Sequence, residues 1–316
     1  MWNTSLSDMF MKRIKEVFPK IITVAGGPNF SSVEEEQFAY LKKRPWIDYY
    51  VVNEAEHAFY RLILELINKS SVEVISNLPN LVFIKDGKFY RHKTIERVMD
   101  LTEIPSPYLS GKLDSFMDGK LLPIIQTNRG CPFACTFCTE GQHYWSKVKT
   151  KSKEVITGEI SYISKKMNNL ETKKKRTDFY IADSNFGMYK EDLNTCKALA
   201  EEQKKTGYPK YISVTTGKNK QDRILEAAKI VNGAMKITGS VQSLDSEILE
   251  NVSRKNISSA QIMDMALKSS EIGAQAFSEV ILGLPGDTTK KHFATLKTLV
   301  DSAFTSIAMY QLMILP

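Results

Sequence analysis

The chain has 316 residues and a formal net charge of +7, from 43 lysine and arginine residues against 36 aspartate and glutamate residues. Hydrophobic residues make up 42% of it and charged residues 25%, which is the composition of an ordinary globular protein. A disordered tail protein, a collagen-like repeat and a disulfide-stapled mini-domain are thereby excluded.

Neither a transmembrane helix nor a secretory signal is expected. The sequence has no run of about 18 apolar residues, and its start, MWNTSLSDMF, has no basic segment ahead of an apolar one. Three of the four cysteines fall within eight positions of this lysine-rich chain, which indicates metal binding in a reducing compartment and not a disulfide framework. We therefore expect a cytoplasmic protein with no membrane partner.

Residues 1–70 are predicted to alternate helix and strand. Helices are expected at 6–18, 31–42 and 55–68, and strands at 21–25 and 49–52. This alternation is typical of a parallel sheet, but two strands are too few to form an independent one. We expect either that the chain begins inside a domain or that this domain is unusually reduced.

Residues 71–120 have a different pattern. Two apolar runs on either side of Asp86-Gly87 predict a β-hairpin, because Asp-Gly is a favoured two-residue turn. Pro105 and Pro107 then favour an extended connector. The region is therefore predicted to be a linker that contains a hairpin.

From residue 121 onward the alternation of strand and helix is regular. Helical stretches of about 10–15 residues separate the strands, as parallel crossover connections require. The six predicted strands are 122–127, 179–183, 211–215, 237–242, 279–282 and 307–312. We expect an α/β fold in which residues 121–316 form a partial six-stranded (β/α) TIM-like barrel.

Residues 147–176 hold ten basic and three acidic residues, an excess that equals the net charge of the chain. A nucleic-acid site would need these charges to form one face with aromatic or base-reading groups. Here they flank an amphipathic helix in which Ile156, Ile160, Ile163 and Met167 recur at helical spacing. The pattern favours a solvated helix face, so we expect no nucleic-acid partner.

Three cysteines follow the first barrel strand, in the order Cys131-Pro-Phe-Ala-Cys135-Thr-Phe-Cys138. Three thiolates in one loop repel one another unless a cation neutralises them, and thiolates suit iron–sulfur clusters or zinc. Three cysteines leave one iron of a [4Fe–4S] cluster open, whereas structural zinc needs a fourth ligand, for which His143 is available. The ligand count and the position at the carboxyl end of a strand favour the cluster.

With the aromatic Phe137 before its last cysteine, this motif resembles the signature of the radical S-adenosylmethionine (SAM) superfamily over roughly residues 121–316. The resemblance implies that Cys131, Cys135 and Cys138 hold a [4Fe–4S] cluster, with Phe137 beside the cofactor and the open iron bound to SAM. One electron, from a donor such as flavodoxin or ferredoxin, would release a 5′-deoxyadenosyl radical. That radical would take a hydrogen atom from a small-molecule or peptide substrate.

Polar residues of the fourth barrel strand indicate a ligand inside the barrel. Alternation over 237–242 predicts that Thr238, Ser240 and Gln242 share one face, which favours either a polar ligand or a self-satisfied polar layer. In the resembling family, this strand contacts the ribose and methionine parts of SAM. Arg254 is expected either to pair with the methionine carboxylate or to be a surface residue.

Two further strand ends carry candidate cofactor contacts. Glu279 lies among apolar residues, where a lone carboxylate needs a partner, and Gly283 allows close approach of the backbone to a ligand. This stretch resembles the adenine-side strand of the family. Asp183 is expected to meet the SAM ammonium group or the substrate, or to cap a helix; the usual Gly-Gly-Glu of its strand is absent.

The stretches Gly26-Gly27-Pro28 and Asn53-Glu54-Ala55 are similar to the second half of cobalamin-binding domains fused to radical enzymes. The resemblance implies an incomplete Rossmann-like domain over 1–70, in which the backbone at Gly26 and Gly27 approaches cobalamin. The Asp-x-His-x-x-Gly motif of that family does not occur in this sequence, which implies a truncated protein. The alternative is a Rossmann-like remnant without a ligand.

Together, the two resemblances imply a truncated radical SAM enzyme of the cobalamin-domain-containing group, with methylation favoured over cyclisation. Two alternatives stay open. One is a radical SAM enzyme that uses no cobalamin, and the other is a non-catalytic binding protein stabilised by zinc or by a cluster.

Overall fold

A computed structural model describes residues 3–92, 96–171 and 175–313. The chain divides into two compact units, one within its first 99 residues and the other over Asp100–Met313. In the described ranges, no helix is long and apolar enough to cross a bilayer.

Within residues 3–92 and 96–99, the first unit is a four-stranded mixed sheet with strand order β1-β2-β3-β4. Its strands are β1 (Val24–Gly26), β2 (Tyr49–Val51), β3 (Leu81–Lys85) and β4 (Lys88–Arg91). Its helices are α1 (Thr4–Val17), α2 (Glu34–Lys42), α3 (Glu56–Ile67) and α4 (Val72–Ser76). Strands β1 and β2 are parallel, as the helix–strand alternation predicts.

The hairpin assigned to a linker over 71–120 belongs instead to this sheet. Strand β3 pairs antiparallel with β2, with Val82 opposite Tyr50, and Leu81, Val82 and Phe83 are at most 2% exposed. Such side chains need a core, and a parallel pair of strands needs further strands, so the hairpin supplies what the first unit lacks. A domain boundary at residue 70 is therefore wrong.

Strand alternation distributes the core of the first unit over both faces of the sheet. Tyr50 and Val82 pack with Leu41 of α2 on one face, whereas Val51 and Phe83 face the cluster that contains α3 and α4 on the other. Opposite faces for successive strand residues follow from the period of two. The first unit is thus a three-layer α/β structure.

Within residues 100–171 and 175–313, the second unit has six strands that pair in parallel as two three-stranded sheets, β5-β8-β9 and β10-β11-β12. These strands are β5 (Ile124–Ile125), β8 (Asp178–Phe186), β9 (Tyr211–Thr216), β10 (Ile237–Thr238), β11 (Ala276–Leu282) and β12 (Ser306–Gln311). A separate antiparallel ribbon joins β6 (Asn128–Arg129) and β7 (Lys149–Thr150). Each of the six predicted barrel strands overlaps an observed strand, although β5 and β10 are only two residues long.

A β-bridge between Ile212 and Met235 connects the two three-stranded sheets. The α/β fold is confirmed, whereas this strand pairing does not by itself close a barrel, and the partial six-stranded barrel stays a prediction. One predicted strand is interrupted. β10 ends at Thr238, and Gln242 has a left-handed backbone with φ 63°.

This interruption overturns the shared polar face predicted for Thr238, Ser240 and Gln242. Thr238 is 2% exposed, and its backbone N–H donates to the Thr216 hydroxyl at 2.9 Å. A Cβ at Gly239 would lie 2.7 Å from the Phe304 ring, so a glycine is needed where the strand ends. Ser240 and Gln242 follow in irregular backbone.

The helices of the second unit are α5 (Lys153–Asn168), α6 (Asp192–Thr206), α7 (Gln221–Ile230), α8 (Ser246–Asn251), α9 (Ser259–Glu271) and α10 (Thr289–Val300). The predicted apolar face of α5 is confirmed, since Ile160, Ile163 and Met167 are at most 2% exposed. They pack in one cluster with Phe179 and Ile181 of β8. Burying these faces fixes the strands whose carboxyl ends surround the cysteines.

Candidate metal and cofactor site

The cysteine loop leaves the sheet after β6 and is closed at its base by backbone contacts. Gly130 has φ 114°, and a Cβ there would lie 2.7 Å from the Trp145 carbonyl oxygen and 2.8 Å from that of Lys147. The Cys131 N–H donates to the same Trp145 carbonyl at 2.9 Å. The turn at Gly130 therefore requires glycine both for its backbone angle and for space.

Within the loop, the three thiols differ in exposure, with Cys135 buried, Cys131 intermediate and Cys138 exposed. The Cys138 N–H donates to the Cys135 carbonyl at 3.1 Å, and the Thr136 N–H donates to the Val252 carbonyl at 3.1 Å. The loop thus folds on itself and is also attached to the segment after α8.

Two cations and an amide lie beside the sulfur atoms. Lys218 Nζ lies 3.6 Å from Cys135 Sγ, and Arg254 Nη1 lies 3.9 Å from the same sulfur. The Asn185 side-chain amide donates to Cys131 Sγ at 3.2 Å. In the described part of the chain, neither Lys218 nor Arg254 forms an ion pair with a carboxylate.

These cations are costly unless an anion lies between them. Burial lowers the pKa of Lys218, and the charge of Arg254 lowers it further. Burial likewise lowers the pKa of Arg254. Thiolates, and an anionic cluster held by them, would offset both charges, so the electrostatics of the loop fit such a group.

The residues available as metal ligands can be compared with the needs of a cluster and of a single zinc ion. Over the described residues, no three His, Cys, Asp or Glu side chains are grouped as ligands of one ion. A zinc site completed by His143 would need such a group, and His143 is exposed. The three thiols of a [4Fe–4S] cluster bind three different irons and are not required to share one ion. Three thiols therefore suit a cluster in which each thiol binds its own iron.

Asp183 of β8 lies beneath the start of this loop. Its carboxylate accepts hydrogen bonds from the Thr127 N–H at 2.8 Å and the Asn128 side-chain amide at 2.9 Å, and also from the Thr127 hydroxyl. Burial raises the pKa of Asp183 to about 6, although the hydrogen bonds from Thr127 and Asn128 oppose that rise. These contacts show that Asp183 holds the start of the loop, and its expected contact with SAM stays a prediction.

Asp192 is a second buried carboxyl group that the sequence reasoning missed. It is 1% exposed and accepts hydrogen bonds from the N–H groups of Gly187, at 2.7 Å, and Tyr189, at 3.0 Å. The Asn128 amide, 3.5 Å away, bridges it to Asp183. Burial raises the pKa of Asp192 to about 7, and the charge of Asp183 adds to the rise. In sequence it looks like an ordinary residue of a first helical turn.

In the segment after α8, Arg254 joins the cysteine loop to the residues predicted to contact SAM. Its guanidinium donates to the Ser240 carbonyl and, at 2.8 Å, to Asn256 Oδ1. The Ser240 hydroxyl donates to Glu279, and the Tyr310 hydroxyl lies 3.5 Å from the other oxygen of that carboxylate. Arg254 is 9% exposed, so the alternative of a surface arginine is wrong.

Three buried polar atoms near these residues have no hydrogen-bond partner among the described residues: Asn128 Oδ1, the Tyr189 hydroxyl and Gln242 Oε1. Buried polar groups are normally paired, so each calls for an explanation. Gln242 is held in line with β11, since its N–H donates to the Glu279 carbonyl at 2.8 Å. An absent polar ligand beside Gln242 would account for its unpaired oxygen.

The other predicted cofactor residues lie in different surroundings. Phe137 packs with Ile248, Val252 and Leu284, so part of its ring belongs to an apolar cluster. Gly283 has φ 83° with open space where a Cβ would be. In the first unit, Gly27 has φ 112° and accepts a hydrogen bond from the Tyr50 hydroxyl at 3.2 Å, and Gly26 ends β1.

A polar cavity of about 290 Å³ lies between the two three-stranded sheets. Glu279 and Tyr310 line it together with Tyr180, Ser213 and Lys236. One acidic group, one basic group and several hydroxyls on an inner sheet surface suit a small polar molecule better than a packed core. Glu279 links this cavity to Ser240 and hence to Arg254.

Two relatives match the whole of this chain. The 2-(S-pantetheinyl)-carbapenam-3-carboxylate methyltransferase of Streptantibioticus cattleyicolor is 29% identical, and the cobalamin-dependent radical SAM methyltransferase TokK of Streptomyces tokunonensis is 28% identical. The match covers 46% of each relative, so the chain spans about half the length of these curated relatives.

Among solved structures, the radical SAM methyltransferase TsrM from Kitasatospora setae is similar at a TM-score of 0.73, over 98% of this chain and 58% of that one. At 14% identity this likeness shows the fold. A family model described as the radical SAM superfamily matches residues 125–299, a segment that holds the three cysteines of the loop. Because that segment is more than half of the chain, the protein belongs to the radical SAM superfamily.

Proposed function

We propose that this chain carries the SAM-cleaving core of a cobalamin-dependent radical SAM methyltransferase that acts on a small molecule. Membership of the superfamily implies a [4Fe–4S] cluster and SAM as cofactors. The observation that carries the proposal is the three-cysteine loop with Lys218 and Arg254 against Cys135. Methyl transfer is supported by the relatives that match the whole chain, both of which are methyltransferases by name.

In this proposal, Cys131, Cys135 and Cys138 hold the cluster, which when bound supplies the electron for reductive cleavage of SAM. Arg254 is placed to bind the methionine carboxylate, because its guanidinium lies against the loop and matches a carboxylate in shape and charge. Ser240 and Glu279 orient the ribose hydroxyls, and the unpaired amide oxygen of Gln242 accepts from the same ligand.

We also propose that the two three-stranded sheets act as a partial six-stranded barrel around the polar cavity. Its lining carries one carboxylate, Glu279, and one lysine, Lys236, among hydroxyl groups. Such a lining suits a polar small molecule. In the first unit, the turn at Gly26 and Gly27 supplies backbone for cobalamin.

The test of this function is anaerobic reconstitution with iron and sulfide, followed by dithionite and SAM. We expect brown protein that releases 5′-deoxyadenosine and methionine. Cys135→Ala should lose the cluster, because one of its three cysteine ligands is removed. Its cleavage rate should fall at least 100-fold. Cys196→Ala is the matched control, since Cys196 is buried in α6 and should leave both readouts unchanged.

The outcome that would contradict the proposal is a colourless protein that binds one zinc ion, or full cleavage activity in Cys135→Ala. Corrin absorption after incubation with hydroxocobalamin separates the cobalamin-dependent enzyme from a radical SAM enzyme that uses no cobalamin. No corrin absorption would remove the cobalamin part and leave the SAM-cleaving core in place.

A further inference from the structure

Two of the three cysteine sulfurs receive a hydrogen-bond donor from a strand end. Asn185 is the second-last residue of strand β8 and is 5% exposed, and its amide donates to Cys131 Sγ at 3.2 Å. Lys218 comes two residues after β9, and its Nζ lies 3.6 Å from Cys135 Sγ. Because β8 and β9 pair in parallel, both donors reach the loop from the same edge of one sheet.

Lys218 is held in place by more than its contact with the sulfur. Its ammonium lies 3.9 Å from the centre of the Phe133 ring, and Phe133 belongs to the cysteine loop. Before it, Gly217 packs so closely on Met188 that a Cβ would lie 2.5 Å from the Met188 sulfur. The lysine thus contacts the loop at two points, and the residue before it packs against Met188.

Asn185 is fixed in a similar way. Two residues before it, Asp183 accepts hydrogen bonds from Thr127 and Asn128 at the start of the same loop. Two residues after it, the Gly187 N–H donates to the buried Asp192 carboxylate at 2.7 Å. Buried carboxyl groups on both sides therefore fix the strand end that presents the amide.

Hydrogen bonds to cluster sulfurs and nearby positive charge stabilise the reduced, more negative state of an iron–sulfur cluster and so raise its reduction potential. A lysine contact contributes both effects, whereas an asparagine amide contributes the hydrogen bond alone. Cys131 and Cys135 would bind two different irons, so the two donors would act on separate corners of the cluster.

We infer that Lys218 and Asn185 are positioning residues that raise the reduction potential of the cluster and so set how readily it accepts an electron. This inference rests on the proposed function, because it requires a cluster at Cys131, Cys135 and Cys138. Neither residue contacts the reacting atoms of the substrate, and both act through the cysteine ligands.

The test is a potentiometric titration of the reconstituted full chain without SAM. The electron paramagnetic resonance signal of the reduced cluster measures the extent of reduction at each potential. Lys218→Met removes the charge and the donor but keeps the side-chain length. We expect its equilibrium constant for reduction to fall about tenfold, which is about 59 mV for one electron. Asn185→Leu should shift the potential in the same direction by less, because no charge is lost.

Two matched variants make the result specific. Lys229→Met changes an exposed lysine of α7 and should leave the potential unchanged. Lys218→Arg keeps a charged donor, so its reduction potential should stay close to that of the parent. If Lys218→Met binds no iron, restored iron and potential in Lys218→Arg support the inference, and failure of both variants to bind iron overturns it.

The inference fails if Lys218→Met and Asn185→Leu bind iron as the parent does and have the potential of the parent. That result would leave the proposed function intact. A parent protein that shows no cluster signal at all would instead contradict the proposed function, so the two failures are distinguishable.

Discussion

At the scale of single residues, the position of the cysteine loop is set by side chains outside it that hydrogen-bond to its first residues. Asp183 fastens the two residues that enter the loop, and Asn128 connects it to Asp192. Two buried carboxyl groups that share one amide cannot both be charged at low cost. Their protonation is therefore coupled to the stability of the second unit.

For Asp192, the direction in which stability changes with pH can be predicted and measured. Its folded pKa of about 7 lies above that of an exposed aspartate, so the folded state holds the proton more tightly. Its contribution to stability is present below about pH 4 and is lost as the pH rises through about 7, with a full size on the order of 4 kcal/mol. Asp183 and Glu191 are the charges that raise this pKa further.

We therefore expect the free energy of unfolding of the parent, relative to Asp192→Asn, to decrease between pH 5 and pH 8. Chemical denaturation of the cluster-free protein at each pH measures this difference. Asp222→Asn, at an exposed position in the first turn of α7, is the control and should give a constant difference. A flat difference for Asp192→Asn would show that its carboxyl group is not perturbed.

At the scale of elements, sequence patterns give the parts of the site that are local and miss the parts that depend on pairing. The cysteine spacing, the stretch from Glu279 to Gly283 and the apolar face of α5 are all recognisable from a few neighbouring residues. Asn185 and Lys218 reach the sulfurs only because β8 and β9 pair in register, which no local pattern shows.

One strand prediction and one assignment of a hairpin to a linker fail for the same physical reason, since pairing between distant segments decides where a strand ends and which sheet it joins. The run 237–242 looks continuous, but Gly239 packs under Phe304 and Gln242 turns left-handed, so β10 stops early. The hairpin around Asp86 and the strand at 49–52 are both predicted from sequence, whereas the pairing that joins them in one sheet is not. Register between distant segments requires the whole core and cannot be read from alternation alone.

The turn that begins the cysteine loop carries a prediction at this scale. Gly130→Ala forces an alanine to φ 114° and places its Cβ 2.7 Å from the Trp145 carbonyl. We expect iron uptake to fall at least fivefold, because the backbone that closes the loop must move. Iron and sulfide per chain after reconstitution measure the effect.

Gly207→Ala is the matched control for that measurement. Gly207 also has a positive φ, 73°, but its Cβ would meet nothing within 4 Å. Its substitution should cost about 1 kcal/mol of stability through backbone strain and leave iron uptake at the level of the parent. Equal iron uptake in the two variants would mean that steric closure of the loop is unimportant.

At the scale of the whole molecule, the two compact units have separate cores, and the segment that matches the superfamily, 125–299, lies within the second unit. The first unit packs its apolar residues around Leu62 and Tyr50, and the second around Ile163 and Phe179. Cluster binding is therefore expected to depend on the core of the second unit and not on that of the first.

Leu62→Ala and Ile163→Ala test this independence, since each side chain is 0% exposed in its own core. Each truncation should cost about 2–5 kcal/mol within its unit through lost burial and a residual cavity. Leu62→Ala should then lower only one of two thermal transitions and leave iron uptake unchanged. Ile163→Ala should lower the other transition and reduce the yield of cluster. If Leu62→Ala removes the cluster as completely as Ile163→Ala does, the units fold as one cooperative body, and the radical SAM core depends on the first 99 residues.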